Sequence, residues 1–490
     1  MGAYGATVRI HGFSGLYQDG DGVGVDPKYA LEAVNVETAG GVLQSAARCE
    51  HLKAEVAGPI GTLMRLHRRW HTADSEKDVL VAASGGQLYF MPPDGDAWTR
   101  LQTPEGVEAY ESDAWSFAAY EINPEGTDAP VDVLLLSNER DGMVCVRGDT
   151  MAVSRVPTPK KFGVIARYAE RIWGGAIADN PDMLSYSAPF DPFDWTQNDG
   201  LPEDGAGDIL QPSWDGDSFL SLTQFGAQLL ALKKRRVWRI LGTDPGEYVF
   251  REQYGGGVAA PATVAVAGER VLMLGEEGLE SYDGLSVEPY GRPYAKGVFA
   301  RMNRGAIHGA CACLHAGRYY LALPLHDSPH NNAVLVYDTR ERSWLLREGI
   351  TVRAFLSTDQ GLYFTSATEP GRVWKWGEDA RRTGAASPAR WVGPWMELDE
   401  KNARKGGWTV YLTVEAEAPA ELWVSIRTEK KVRTKRLDVA PSGRRGELPR
   451  QRKLVFGGSG RRFRLEIESR GLAAWRLVGG IQVDVEADVG

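Results

Sequence analysis

Cysteine is scarce in this sequence. Four in 490 residues (Cys49, Cys145, Cys311 and Cys313) make no disulfide framework and fit a protein assembled in a reducing cytoplasm. Long apolar runs are missing too. No stretch approaches the roughly 18–20 apolar residues that cross a bilayer, so no membrane span is expected. The N-terminal run lacks the charged-then-apolar form of a signal peptide. Ala6 stands where a myristoylation signal has Ser or Thr. Helical periodicity is weak nearly everywhere. The one modest helix expected covers residues 27–34, with Asp26 as N-cap and Pro27 at the first helical position.

The familiar motifs of catalysis are also absent. There is no G-x-S-x-G elbow, no Walker A loop and no G-x-G-x-x-G after a strand. QDGDGVGVD (18–26) places Asp19, Asp21 and Gly24 at EF-hand positions 1, 3 and 6, but Val23 and Ala30 occupy positions that need oxygen ligands, so a glycine turn is expected. At strand period Cys311, Cys313 and His315 share a face, yet a fourth zinc ligand with paired spacing is lacking. His67 and His71 lie four apart without the glutamate of a metalloprotease helix. His326 and His330 flank a Ser-Pro turn, and GGSG (457–460) is short for a phosphate cradle. STDQGLYF (357–364) fits an Asp-box turn, a fold feature without a catalytic group. No glycosidase pair stands out among the scattered carboxylates. No catalytic residue, metal site or cofactor is expected.

What the sequence does have is turns and aromatics: 57 Gly, 26 Pro, 15 Trp and 18 Tyr. Short apolar strands between polar turns recur at 85–98, 141–146, 170–175, 234–240, 276–287, 331–344 and 359–376. Their spacing of about 40–60 residues is that of propeller blades. In 334–338, Val334, Val336 and Asp338 alternate with Leu335 and Tyr337, as strands do. Composition changes at ARRTGAASP, which reads as a linker. Beyond it six alternating strands (409–417, 421–429, 435–440, 452–458, 462–469 and 479–487) fill about 100 residues, as in a jelly-roll-like β-sandwich. The expected fold is all-β: a β-propeller of six to eight blades over 1–380, a linker at 381–389 and a C-terminal β-sandwich over 390–490.

Charge follows the same division. The whole chain carries −9, whereas about 20 Lys+Arg meet about 14 Asp+Glu from residue 390 onward, leaving an acidic propeller and a basic sandwich. Two features are candidates for contact with a partner. The first is NPDMLSYSAPFDPFDW (180–195), whose Tyr186, Phe190, Phe193 and Trp195 form either an anchor surface or a local core plug, with a ligand pocket as a third possibility. The second is a pair of basic runs: Lys233, Lys234, Arg235 and Arg236, then Lys430, Lys431, Arg433 and Lys435. Neither run has the aromatic interleaving of a nucleic-acid module. A solvated strand edge that blocks unwanted pairing competes with docking on an acidic neighbour.

The order of YALEAVNVETAGGVLQSAARCEHL (29–52), YAERIWGGAIADNPDMLSYSAPFDPFDW (168–195), DGDSFLSLTQFGAQLLALKKRRVWRILGTDP (215–245) and a β-rich C-terminal domain resembles the tail hub, or nozzle, propeller proteins of short-tailed bacteriophages. The resemblance covers most of the chain and rests on patterns, with no catalytic signature. It implies a non-enzymatic virion protein, assembled in the host cytoplasm as a homo-oligomeric ring. That ring would form part of the DNA-ejection conduit without sequence-specific DNA binding. Its neighbours would be the portal or adaptor connector and other tail proteins or fibres. An acidic wall would repel phosphate and let DNA slide. The alternatives are a carbohydrate-binding adsorption protein, with surface aromatics stacking on host sugars, and a glycoside hydrolase, which requires a carboxylate pair.

Overall fold

The computed structural model describes residues 4–69, 78–92, 95–124, 129–211, 216–253, 255–377, 388–397, 404–441, 450–471 and 473–488. Seven four-stranded antiparallel units follow one another: six are separate sheets and one is the start of a larger sheet. We number them as blades 1 to 7. Their innermost strands are Ile60–His67, Ser116–Ile122, Val164–Tyr168, Ser221–Phe225, Ala260–Ala267, Cys311–His315 and Val352–Thr358. Each packs beside the innermost strand of the next blade, and Val352–Thr358 returns to Ile60–His67, so the ring closes. This is a seven-bladed propeller, within the expected six to eight.

Middle strands such as Asp78–Ser84 and Val131–Asn138 are buried along their whole length. Blades stack face to face, so both sides of a middle strand meet apolar neighbours, and continuous rather than alternating apolar runs result. The Ala333–Asp338 strand is such a case: its alternation separates two buried faces. Side chains also cross the seams between blades. Trp115 N–H donates to Thr62 Oγ1 (2.9 Å) and Ile165 N–H to Ser116 Oγ (2.9 Å). Tyr168 donates to the Gly242 carbonyl (2.8 Å), Arg239 to that of Gly284 (3.0 Å) and Tyr319 to that of Thr263 (2.8 Å). His315 bonds Ser357 (2.9 Å), and Asp359 N–H donates to Asp78 (3.2 Å). Each such bond contributes about 1 kcal/mol and costs more to leave unmade.

The last blade takes its outer strand from the other end of the chain. Glu50–Glu55 pairs antiparallel with Arg372–Lys375, and Arg372 meets Glu55 at 2.7 Å. Residues 4–45 also leave the propeller, which alters the expected domain bounds. Tyr4–Ile10 pairs with Trp475–Asp488, with Ile10 opposite Ile481. Glu32–Val34 lies parallel to the outer strand of blade 6 (Val34 opposite Leu346) and antiparallel to Ala389–Val392 (Glu32 opposite Val392). A ten-stranded sheet thus runs from blade 6 through Glu32–Val34, Ala389–Val392, Arg462–Ser469 and Ala420–Thr428 to Val432–Val439. The facing sheet runs from Tyr4–Ile10 through Trp475–Asp488 and Arg404–Ala416 to Arg452–Phe456. Together they are the sandwich.

The expected linker at 381–389 falls partly outside the described residues, 381–387, while Ala389 already belongs to a strand. The joint is a continuous sheet over a continuous core. Trp344 and Leu346 of blade 6 belong to the same apolar cluster as Trp391, Trp408, Phe463 and Val483 of the sandwich. Backbones meet there as well. Leu16 N–H donates to the Trp344 carbonyl (2.7 Å), and a Cβ at Gly15 would lie 2.1 Å from that oxygen, so only glycine fits. The helix expected at 27–34 does not form. Asp26 accepts from Lys28 N–H (3.0 Å), turning the chain into the Glu32–Val34 strand, whose pairing outweighs local propensity. Among the described residues the one α-helix is Arg292–Ala300, between blades 5 and 6.

Candidate interaction surfaces

The aromatic stretch at 180–195 wraps the outer part of blade 3, and most of it folds inward. Tyr186 is buried against Trp173 (ring centroids 5.0 Å), and that burial lifts its hydroxyl above the usual tyrosine value. Trp195 packs on Phe162 (4.9 Å) and donates to the Pro192 carbonyl (3.1 Å), and Phe193 lies on the same cluster. The expectation of a four-ring anchor surface is corrected. The blade needs these three rings as core, and Phe190 alone projects, 75% exposed.

Arg171 organises the next segment of the chain. It is 1% exposed, and its guanidinium donates to the carbonyls of Ser187 (2.8 Å), Gly205 (2.6 Å) and Glu203. These bonds hold both ends of a protruding loop in which residues 196–204 are all exposed. The loop carries Leu201, 51% exposed, with Asp199, Glu203 and Asp204. None of those three carboxylates forms an ion pair among the described residues. The sequence signal was a turn-rich run, TQNDGLPED, with three acids around one leucine.

The first basic run does not offer four cations to a partner. Lys233 is fully buried, paired with Asp182, its ammonium 4.5 Å from the Phe219 ring centre. Arg236 is half-buried and paired with Glu252. Lys234 is exposed and meets Glu276 at 3.2 Å, and Arg235 is exposed. The run flanks two strands of blade 4, where Lys233 N–H and carbonyl are both used, by Arg236 and Val258.

The second run stays outside. Lys430 and Lys431 form the turn before Val432–Val439, the last strand of its sheet, and Arg433 and Lys435 are exposed along it. None of these four forms an ion pair among the described residues. Arg452–Phe456 ends the facing sheet on the same side, with Lys435 5.8 Å from the Phe456 ring. In the first sheet this end lies away from blade 6, and in the facing sheet it lies away from Tyr4–Ile10. Val432 (43% exposed) and Val455 (51%) sit among the cations. A cavity of about 380 Å³ opens there, lined by Trp408, Ile426, Thr428 and Gly458 beside Lys431 and Arg433.

The chemistry-bearing clusters are internally satisfied. Cys311 and Cys313 lie in the seam between blades 6 and 7, where burial raises both thiols, Cys313 to about 11. Such protonated thiols are poor ligands and nucleophiles. Asp19 and Asp21 accept from Gly20 and Val23 N–H (3.1 and 3.0 Å). His67, Asp78 and Asp359 approach within 4.8 Å at the seam of blades 7 and 1, but Arg65 lies 3.6 and 3.7 Å from the two carboxylates and His67 bonds Asp78 at 2.7 Å. Arg65 and His67 thus both engage Asp78, and Asp359 stands at the exposed end of the cluster. His71, four residues from His67 in sequence, lies outside the described residues.

No protein-family profile and no curated protein matches the chain. Among solved structures it is similar to BBS1N in complex with ARL6DN, soaked with mercury: 11% identity, 68% of this chain and 99% of that one covered, TM-score 0.39. The same complex soaked with lead gives 11% identity, coverage of 66% and 80%, and a TM-score of 0.31. Neither likeness bears on any residue or partner of this chain.

Proposed function

We propose that this chain is a non-enzymatic structural subunit of a bacteriophage virion, one copy of a ring at the tail that forms part of the DNA-ejection conduit and docks neighbouring tail proteins. One observation carries the proposal. A closed propeller is fused through a ten-stranded sheet and a shared core to a sandwich with a basic edge strand that pairs with no further strand among the described residues. A subunit bearing load in an assembly needs a stiff body with adhesive capacity confined to chosen edges. The sheet supplies the stiffness, and the edge supplies a place to bind. The family resemblance supplies the context: virion location, assembly in the host cytoplasm, contact with a connector and fibres, and passage of DNA without sequence readout.

Purified protein, alone and with phage connector proteins, should be measured by light scattering and negative-stain microscopy. A ring, or a monomer that becomes one on the connector, is the expected result. A monomer indifferent to every virion protein sinks the proposal. Electrostatic sliding of DNA on an acidic wall is a hypothesis within it, motivated by the charge of the propeller. Ejection rates unchanged by charge reversal would remove it. The second reading, a glycan-binding adsorption protein, draws on Phe190, whose exposed ring is of the kind that stacks on sugars. Glycan-array binding lost in Phe190→Ala and independent of assembly would favour it.

A further inference from the structure

The two exposed surfaces lie on opposite flanks of one subunit. In a seven-membered ring, blades 3 and 6 are three steps apart, the greatest separation available. The Arg171-braced loop belongs to blade 3. The sandwich grows from the outer edge of blade 6, and its basic edge lies five strands further along the sheet, about 24 Å of sheet at 4.8 Å per strand.

Their chemistries match. Asp199, Glu203 and Asp204 surround Leu201 on one flank, with Phe190 on the same blade. On the other, Lys430, Lys431, Arg433 and Lys435 surround Val432, with Val455 on the facing sheet. Neither set is ion-paired within the described chain, although many surface charges elsewhere are, such as Arg372 with Glu55 and Arg436 with Glu421. Apolar centres ringed by unpaired charges of opposite sign are what a charge-complementary contact requires. Two different patches on opposite flanks make a heterologous contact, which repeats head to tail and generates a ring when its rotation closes.

We infer that the basic edge of the sandwich, around Lys430–Arg433, docks on the acidic loop 196–204 of blade 3 in a second copy of this chain. The inference rests on the ring reading and specifies its contact. Complementary charges hold the two surfaces together and set their register, while Leu201 and Val432 lose water at the centre. The strand edge of Val432–Val439 remains protected against uncontrolled pairing until it meets its acidic counterpart.

The test uses two surface variants of the full chain. An edge variant carries Lys430→Glu, Lys431→Glu and Arg433→Glu; a loop variant carries Asp199→Lys, Glu203→Lys and Asp204→Lys. Sedimentation velocity at about 50 mM and about 500 mM salt reads their mass, with connector present if the wild-type protein assembles only there. Wild-type assembly is expected to weaken at high salt. Each variant alone should associate at least ~100-fold more weakly than wild type. An equal mixture should associate again as alternating copies, because the intact edge meets the intact loop and the reversed edge meets the reversed loop. Joining all six reversals in one chain should restore assembly. Both variants must keep the wild-type melting curve. If folded variants assemble as wild type does, or their mixture associates no better than either variant alone, this contact is wrong and the ring stands on another. If wild type stays monomeric with and without connector, contact and ring reading fall together.

Discussion

KKRR at 233–236 and KKVRTK at 430–435 look alike as sequence and end in opposite environments. The first is the turn between the two middle strands of blade 4. Its neighbours on both sides are blades, so Lys233 is sealed between Asp182 and the Phe219 ring while only Lys234 and Arg235 stay outside. The second borders a sheet in which no further described strand follows, and its cations are exposed. The difference shows that a basic run becomes internal glue or external adhesive according to the order of strands around it.

The sharpest way to break the contrast is Asp182→Ala. It takes one carboxylate away from a buried ammonium and should cost up to about 3–5 kcal/mol in denaturant unfolding, whereas Lys233→Met with Asp182→Leu should recover most of that. Arg171→Met should cost about 3 kcal/mol, since it frees three carbonyls, and limited proteolysis should then cut within 196–204. Acid probes the sandwich. Burial pushes Glu466 up, but Arg427 and Arg464 outweigh it and hold the carboxyl below its ordinary 4.5. Its contribution is therefore present above the unfolded value and lost as pH falls through the lower folded one. Glu466→Gln should flatten acid unfolding in that window, measured by fluorescence. Arg236→Ala removes a half-exposed pair and should cost less than about 1 kcal/mol. Lys430→Ala with Arg433→Ala should change monomer stability by no more than about 0.5 kcal/mol while weakening assembly. A large loss of monomer stability would place the second run with the first.

Much of the fold was legible because β structure writes itself locally. The turn-strand-turn phrases at 85–98 and 331–344 lie in blades 1 and 6, and the Phe463, Leu465 and Ile467 alternation lies in the sandwich. Pairings across the chain left no local trace. Nothing in residues 4–10 announces that Ile10 will face Ile481, or in 32–34 that Val34 will lie beside Leu346. The surfaces were half legible. Tyr186, Phe193 and Trp195 have the composition of an anchor but fill space between strands. Lys430 and Lys431 were visible as charge, and only the strand order showed that they border an open edge.

The pairing of residues 4–55 has a consequence for how the protein is made. Those strands leave the ribosome long before their mates: the partners of Glu50–Glu55 are residues 372–375, and those of Tyr4–Ile10 lie near 481–487. At about 5–20 residues per second, the early segment waits roughly 20–100 s for them. During that interval blades 1 to 6 can stack while the ring gapes, with apolar strands and bare edges facing water. Long-range closure of this kind is slow. The nascent chain should therefore lean on chaperones, and its yield should fall more steeply with growth temperature than the stability of the finished protein would suggest.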